Sequence, residues 1–192
     1  MRIIAGEFRG RKLLAPDNDA TRPITDRAKQ SLFDILAPRI AASRVYDCFA
    51  GTGSMGLECL SRGASHVMFF ETDRSALARL KKNVEAVGAT TRSQVIAQDL
   101  FQWFRGLSTQ SAAQVRADLV FLDPPYRFLR ERPGELRELA SSLASSHLAV
   151  ENGIVIFRHD ARDRLELPPL VRYDERTYGG MTIEFLRVGS HA

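Results

Sequence analysis

The sequence predicts an α/β fold in which a mainly parallel sheet is covered by helices on both faces. Three observations lead there. From Arg44 onward, short apolar runs alternate with amphipathic stretches of helical period. A glycine-rich turn, Gly51-Thr52-Gly53-Ser54-Met55-Gly56, joins the first apolar run to the first of those helices. The chain closes with two strand-like runs on either side of Gly179-Gly180, the signature of an antiparallel hairpin. Short apolar strands alternating with helices imply a mainly parallel sheet covered on both faces. A length of 192 residues suffices for one well-cored domain, and 44% hydrophobic with 26% charged residues excludes a disordered chain.

Taken in order, residues 2–14 carry two short apolar patches around Gly6 and Gly10 and predict a small β-hairpin with its arginines and Lys12 facing outward. Thr25 is placed to cap a helix reaching about Ala37, with Ala28, Leu32, Ile35 and Leu36 on its inner face and Pro38 near its end. Strands are expected at about 44–49, 66–71, 93–97, 118–122 and 153–158, and helices at about 54–62, 74–87, 99–106 and 134–145. Residues 171–178 and 181–188 form the closing hairpin. The expected organisation is a basic N-terminal extension over 1–43 and a ligand-binding α/β domain over 44–192.

Charge is unevenly distributed. Up to Arg44, Arg2, Arg9, Arg11, Lys12, Arg22, Arg27, Lys29, Arg39 and Arg44 outnumber Glu7, Asp17, Asp19, Asp26 and Asp34, whereas the rest of the chain is balanced. The net charge of +4 therefore sits at the N-terminus. A basic, glycine-containing, strand-like segment suits a polyanion rather than a membrane, and Arg9, Arg11, Lys12, Arg22 and Arg27 are the candidate nucleic-acid contacts. No apolar run approaches the length of a bilayer span, and residues 1–6 lack the apolar core of a signal peptide, so a cytoplasmic location is expected. Cys48 and Cys59 have no metal-site spacing and fit a reduced pair, and no metal is expected.

In an open α/β sheet, ligands gather beyond the carboxyl ends of the strands, and acids stand at four of them: Asp47, Glu71, Asp99 and Asp123. The glycine spacing alone suits a dinucleotide or no ligand at all. Asp47, four residues before Gly51, would oppose a pyrophosphate seated on the turn amides, so S-adenosylmethionine, cationic and without phosphate, suits the turn better. Glu71, 18 residues beyond Gly53, is spaced to accept from ribose hydroxyls, and Asp99 from an adenine amino group. The fourth strand ends in Asp123-Pro124-Pro125-Tyr126. Pro124 donates nothing but can accept through its carbonyl, so it and Asp123 can hold both hydrogens of an exocyclic amine while Tyr126 stacks on the base. An aromatic amine is a poor nucleophile, and holding its hydrogens as the nitrogen pyramidalises favours direct displacement on a sulfonium methyl.

Asp47-x-Phe49-Ala50-Gly51-Thr52-Gly53, Glu71 and Asp123-Pro-Pro-Tyr126 resemble the class I S-adenosylmethionine-dependent amino-methyltransferases. Arg2-Ile-Ile-Ala-Gly-Glu-Phe-Arg-Gly-Arg-Lys-Leu13 and Thr21-Arg-Pro-Ile-Thr-Asp-Arg-Ala-Lys-Gln-Ser-Leu-Phe-Asp-Ile-Leu36 are more narrowly similar to the bacterial 16S ribosomal RNA guanine-N2 methyltransferase family. That resemblance implies a Rossmann-like seven-stranded fold and methylation of one guanine in the small-subunit RNA; free RNA and an assembly intermediate both stay open as the substrate, and a monomer is expected. It carries cofactor contacts onto Asp47, Gly51, Gly53, Glu71 and Asp99, with Phe49, Ala50, Thr72 and Leu100 beside them. Catalysis falls on Asp123, Pro124 and Tyr126. The tetrad itself specifies an amine and not a base, so a DNA or RNA adenine-N6 enzyme and a small-molecule amine methyltransferase stay open. A non-catalytic RNA-binding module would explain only the basic N-terminus.

Overall fold

The computed structural model describes residues 1–16, 24–106, 116–147 and 153–189. Its seven strands lie in one mixed sheet in the order β3-β2-β1-β4-β5-β7-β6. The chain divides into two compact units, Met1–Asp99 and Leu100–Ala192.

The first unit contains α1 (Asp26–Ile40), β1 (Arg44–Cys48), α2 (Ser54–Ser61), β2 (His66–Phe70), α3 (Arg74–Ala86) and β3 (Ser93–Ile96), with β1 parallel to β2 and β2 to β3. Thr25 caps α1 as its sequence suggested, its hydroxyl accepting from the Ala28 amide at 3.2 Å. The inner face differs from the expectation. Ala28, Lys29, Leu32, Phe33, Leu36 and Ile40 are buried, and Ile35 stays 39% exposed. Lys29 and Phe33 are buried beside positions 28, 32, 36 and 40 and face Ser54 and Glu58 of α2 and Arg62 at its end, so the inner face lies on the side of the helix away from Ile35. The helix also runs through Pro38 rather than stopping before it. The sheet interior is Val45, Tyr46, Val67, Phe69 and Phe70, each at most 1% exposed. Burial of each such side chain is worth about 1.5–3 kcal/mol before the cost of ordering the chain.

The predicted N-terminal hairpin is present in its shortest form. Arg2 and Lys12 make one antiparallel bridge, and residues 5–10 are bends and turns. Arg9 and Gly10 donate within the segment, to the Gly6 and Ile3 carbonyls, and four other backbone donors turn to α2 instead of forming a ladder. Ile4 and Ala5 donate to the Glu58 carboxylate (2.8 and 3.1 Å), Glu7 donates to the Ser61 carbonyl (2.7 Å), and Phe8 donates to the Ser61 hydroxyl (2.9 Å). Gly6 makes this approach possible. It has φ +85, and a Cβ there would fall 1.8 Å from the Ser61 oxygen. Ile3, Phe8 and Leu13 are consequently buried, and Arg9, Arg11 and Lys12 are exposed.

Glu58 and Lys29 were not singled out by the sequence. Glu58 is fully buried and takes Lys29 Nζ at 3.0 Å and Arg62 Nε at 2.9 Å in addition to the two amides. Burial pushes the Lys29 ammonium below its ordinary range, against the pull of Glu58.

The second unit holds α4 (Leu100–Gly106), β4 (Leu119–Leu122), the short α5 (Phe128–Glu131), α6 (Pro133–Ser142), β5 (Ile154–Asp160), β6 (Leu170–Tyr178) and β7 (Met181–Val188). β4 and β5 are parallel, and β7 pairs antiparallel with both β5 and β6. The expected closing hairpin is thus observed, with Gly179 at φ +60 in its turn. Among the described residues no helix is long and apolar enough to cross a membrane, and no three His, Cys, Asp or Glu side chains converge as metal ligands.

Candidate active site

In the first unit the glycine turn is built from the end of β1. Phe49 takes the left-handed conformation (φ +62), a strained one for a residue with a Cβ, and so turns the chain sharply out of the strand. Ala50 donates to the Phe70 carbonyl at 2.9 Å and Gly53 to the Ala50 carbonyl at 2.8 Å, which ties the turn to the end of β2 and closes it on itself. The three glycines do different work. At Gly53 a Cβ would meet Leu80 at 2.4 Å, and at Gly56 it would meet Phe69 at 2.3 Å, so both serve the close packing of α2 and α3 on the sheet. Gly51 has φ +56 and nothing within 4 Å of where its Cβ would stand. It is the glycine beside which the backbone is open to a ligand.

Two of the predicted acids shape this turn. Asp47 is 2% exposed and accepts from the Gly56 amide at 2.8 Å, placing a carboxylate against the first turn of α2. Glu71 is partly exposed; one oxygen accepts from Gly51 N at 2.7 Å, and the other from the Thr72 and Asp73 amides, each at 2.7 Å. A carboxylate has about four acceptor positions, so three amides do not exhaust Glu71. Asp99 is partly exposed just past β3. The structure therefore brings Asp47, Phe49, Ala50, Gly51, Gly53, Glu71 and Thr72 together in one turn.

Asn83 was missed by the sequence reading, where it looks like one more polar residue on a helix. It is 2% exposed. Its amide nitrogen donates to the Thr52 carbonyl (2.9 Å) and the Leu14 carbonyl (3.2 Å), and its oxygen accepts from Leu14 N (2.8 Å). One side chain thus fastens the N-terminal segment and the glycine turn together.

In the second unit Leu100 is buried at the start of α4, and Asp123-Pro124-Pro125-Tyr126 leads from β4 into α5, where Phe128 and Leu129 donate to the Pro125 and Tyr126 carbonyls at 2.8 and 3.3 Å. Tyr126 is partly exposed and Pro124 is buried. Nearby aromatic rings form a cluster braced by a cation, with Arg132 over Phe101 at 4.5 Å and over Phe128 at 4.8 Å. The Asp123 side chain is 23% exposed, and Oδ1 accepts from Arg158 Nε at 2.7 Å. Sequence reasoning passed over Arg158. The available signal was a cation directly after the apolar run Ile154-Val-Ile-Phe157, in a strand that is buried from Ile154 to His159.

Of the candidate RNA contacts, Arg9, Arg11, Lys12 and Arg27 are exposed on the first unit, and Arg22 lies outside the described residues. Lys29, counted with the basic N-terminal residues, is interior at 1% exposure. Cys48 and Cys59 are buried free thiols, each pushed well above the ordinary range by burial.

The family described as conserved hypothetical protein 95 matches residues 1–187. The ribosomal RNA small subunit methyltransferase D of Haemophilus influenzae is 36% identical over 170 residues, which are 88% of this chain and 83% of that protein. The solved structure of yhhF from Escherichia coli aligns with a TM-score of 0.82 at 29% identity, covering 100% of this chain and 99% of that one. An RNA methyltransferase from Salinibacter ruber, solved with S-adenosyl-L-homocysteine, aligns at 14% identity with a TM-score of 0.64, covering 88% of this chain and 95% of that one. The fold is the Rossmann-like class I methyltransferase fold that the sequence led us to expect.

Proposed function

The chain belongs to the family described as conserved hypothetical protein 95, and from that premise we propose that it is an S-adenosylmethionine-dependent ribosomal RNA methyltransferase acting on the N2 amine of one guanine in the 16S RNA. The observation that carries the reaction type is Asp123-Pro124-Pro125-Tyr126 at the end of a buried strand. The substrate class follows the name of the Haemophilus influenzae relative, a small-subunit ribosomal RNA methyltransferase. Residues 1–43 are the RNA-contacting extension in this reading, and residues 44–192 bind the cofactor.

The residues of the first unit fit the cofactor. The open flank of Gly51 admits a ligand against the backbone, and Glu71 beside it retains acceptor capacity for ribose hydroxyls. Asp99, partly exposed just past β3, would hold the adenine amine. When bound, S-adenosylmethionine supplies an electrophilic methyl on a sulfonium. The chain's part is to hold the nucleophile. Asp123 and the Pro124 carbonyl each accept one hydrogen of the guanine amine, and Tyr126 stacks on a base that has been splayed out of its helix. These acceptors strengthen their hold as the nitrogen becomes tetrahedral, so they act on the transition state more than on the bound substrate.

Transfer of tritiated methyl from the cofactor to 16S RNA, small-subunit particles, DNA and a metabolite extract, followed by nucleoside analysis, tests this. Label in N2-methylguanosine is expected. Label in N6-methyladenosine would replace the base assignment, and absence of transfer to every substrate would leave an RNA-binding protein.

Two further outcomes belong to this reading. Glu71→Ala is expected to weaken cofactor binding by about 1.5–3 kcal/mol in calorimetry, the range for hydrogen bonds to a charged group. Unchanged affinity in a folded variant would remove Glu71 from the site. Replacing Arg9, Arg11 and Lys12 should lower RNA affinity across sequences and flatten its salt dependence by about 0.7–0.9 log units per lost phosphate contact, leaving cofactor affinity in place. An unaltered salt slope would reduce this face to ordinary solvated charge.

A further inference from the structure

β4 and β5 run parallel with Leu122 opposite Phe157, and the next step of that register brings Asp123 beside Arg158. The guanidinium is taken from a strand whose other residues from Ile154 to His159 are buried, and its side chain is itself only 10% exposed. Placing a cation there carries a desolvation cost that an apolar residue would avoid. What it gains is a contact with one atom of the tetrad: Nε donates to Asp123 Oδ1 at 2.7 Å. On its other side, Nη1 rests 3.9 Å from the Met181 sulfur of β7, so the arginine is steadied from the neighbouring strand as well.

We infer that Arg158 is a positioning residue for methyl transfer, fixing the plane of the Asp123 carboxylate so that Oδ2 is the oxygen presented to the amine. The inference rests on the reading of Asp123 given above. A carboxylate on a single-bonded stem rotates freely unless one oxygen is held, and an acceptor has to be aligned within a few tenths of an ångström to favour a transition state over a ground state. Arg158 supplies that hold without touching the base.

The experiment uses the full chain with 16S RNA and saturating cofactor. Arg158→Met removes the donor while keeping an unbranched side chain, and Arg158→Lys keeps the charge without the planar fork. Turnover by Arg158→Met is expected to fall about tenfold or more, with KM for RNA and Kd for cofactor within about twofold of the parent. Arg158→Lys should recover part of the loss. In an Asp123→Asn background the same Arg158→Met change should alter turnover by less than about twofold, because the group being positioned is already impaired. If Arg158→Met multiplies into the Asp123→Asn loss at full size, or if folded Arg158→Lys and Arg158→Met both turn over like the parent, the positioning role is overturned. Should Arg158→Met fail to fold, the Arg158→Lys turnover and its coupling to Asp123→Asn decide the matter alone. Absence of transfer by the parent protein would instead defeat the proposed function, so the two failures are told apart.

Discussion

Asp123→Ala is expected to lower single-turnover methyl transfer by roughly a hundredfold or more while leaving cofactor affinity nearly intact, since the contact it removes strengthens as the amine nitrogen becomes tetrahedral. The ion pair with Arg158 adds a second expectation. Deleting the carboxylate withdraws an anion from a guanidinium whose side chain is 10% exposed, and breaking such a pair costs up to about 3 kcal/mol of stability, moderated here by the solvent that reaches Asp123. Asp123→Asn keeps one acceptor oxygen, which can serve Arg158 or the amine but not both, and should lose less than Asp123→Ala. Rates are therefore to be compared below the unfolding transition of the weaker variant. If Asp123→Ala abolished cofactor binding and spared single-turnover chemistry at saturating cofactor, Asp123 would be a structural or cofactor residue, and the assignment of amine methylation would lose its chemical support.

Glu58→Ala is expected to be among the most destabilising single changes in the first unit. The carboxylate is 0% exposed and takes the Lys29 ammonium, the Arg62 guanidinium and the Ile4 and Ala5 amides. Removing it leaves a lysine that is 1% exposed without that counter-charge, at a cost of about 3–5 kcal/mol. Chemical denaturation would measure it. A change in midpoint equivalent to less than about 1 kcal/mol would mean that water or a shift of Lys29 relieves the site. Replacing Lys29 and Glu58 together by apolar residues of similar volume should restore much of the loss, because the pair is costly to desolvate as well as to break.

The alternating pattern of the sheet was legible because most of the parallel strands are short, largely apolar and bounded by polar turns, and the closing hairpin was legible because Gly179-Gly180 marks its turn. The strands expected at 44–49, 66–71 and 171–178 are observed at Arg44–Cys48, His66–Phe70 and Leu170–Tyr178. Less visible was anything that depends on a partner distant in the chain. The N-terminal arms looked like strands, but while the Ile3, Gly10 and Leu13 amides reach the other arm, those of Ile4, Ala5, Glu7 and Phe8 find acceptors on α2, so pairing stops at one bridge. Helix α5 has only four residues, too short for a periodic signal. Of the candidate site, the glycine spacing and the tetrad could be read directly, since both are contiguous. Which glycines serve packing and which faces a ligand could not, because that depends on Leu80 and Phe69 from other elements. Arg158 and Asn83 escaped for the same reason: each acts through a neighbour 35 or 31 residues away.

The stitching of residues 2–14 to α2 and α3 bears on how this segment can vary in chains of this kind. The segment's amides at Ile4, Ala5, Phe8 and Leu14 end on side chains of Glu58, Ser61 and Asn83, and Asn83 also holds the glycine turn at Thr52. Grafted onto a relative lacking those acceptors, the segment would arrive with the buried Phe8 donor and three partly buried ones unmet, at up to about 1–3 kcal/mol for a fully buried donor. It cannot travel as a cassette. The outward side chains such as Arg9 and Arg11 can vary without disturbing the seam beneath them, so, if they meet phosphates as proposed, affinity for RNA is retuned more readily there than by exchanging the segment.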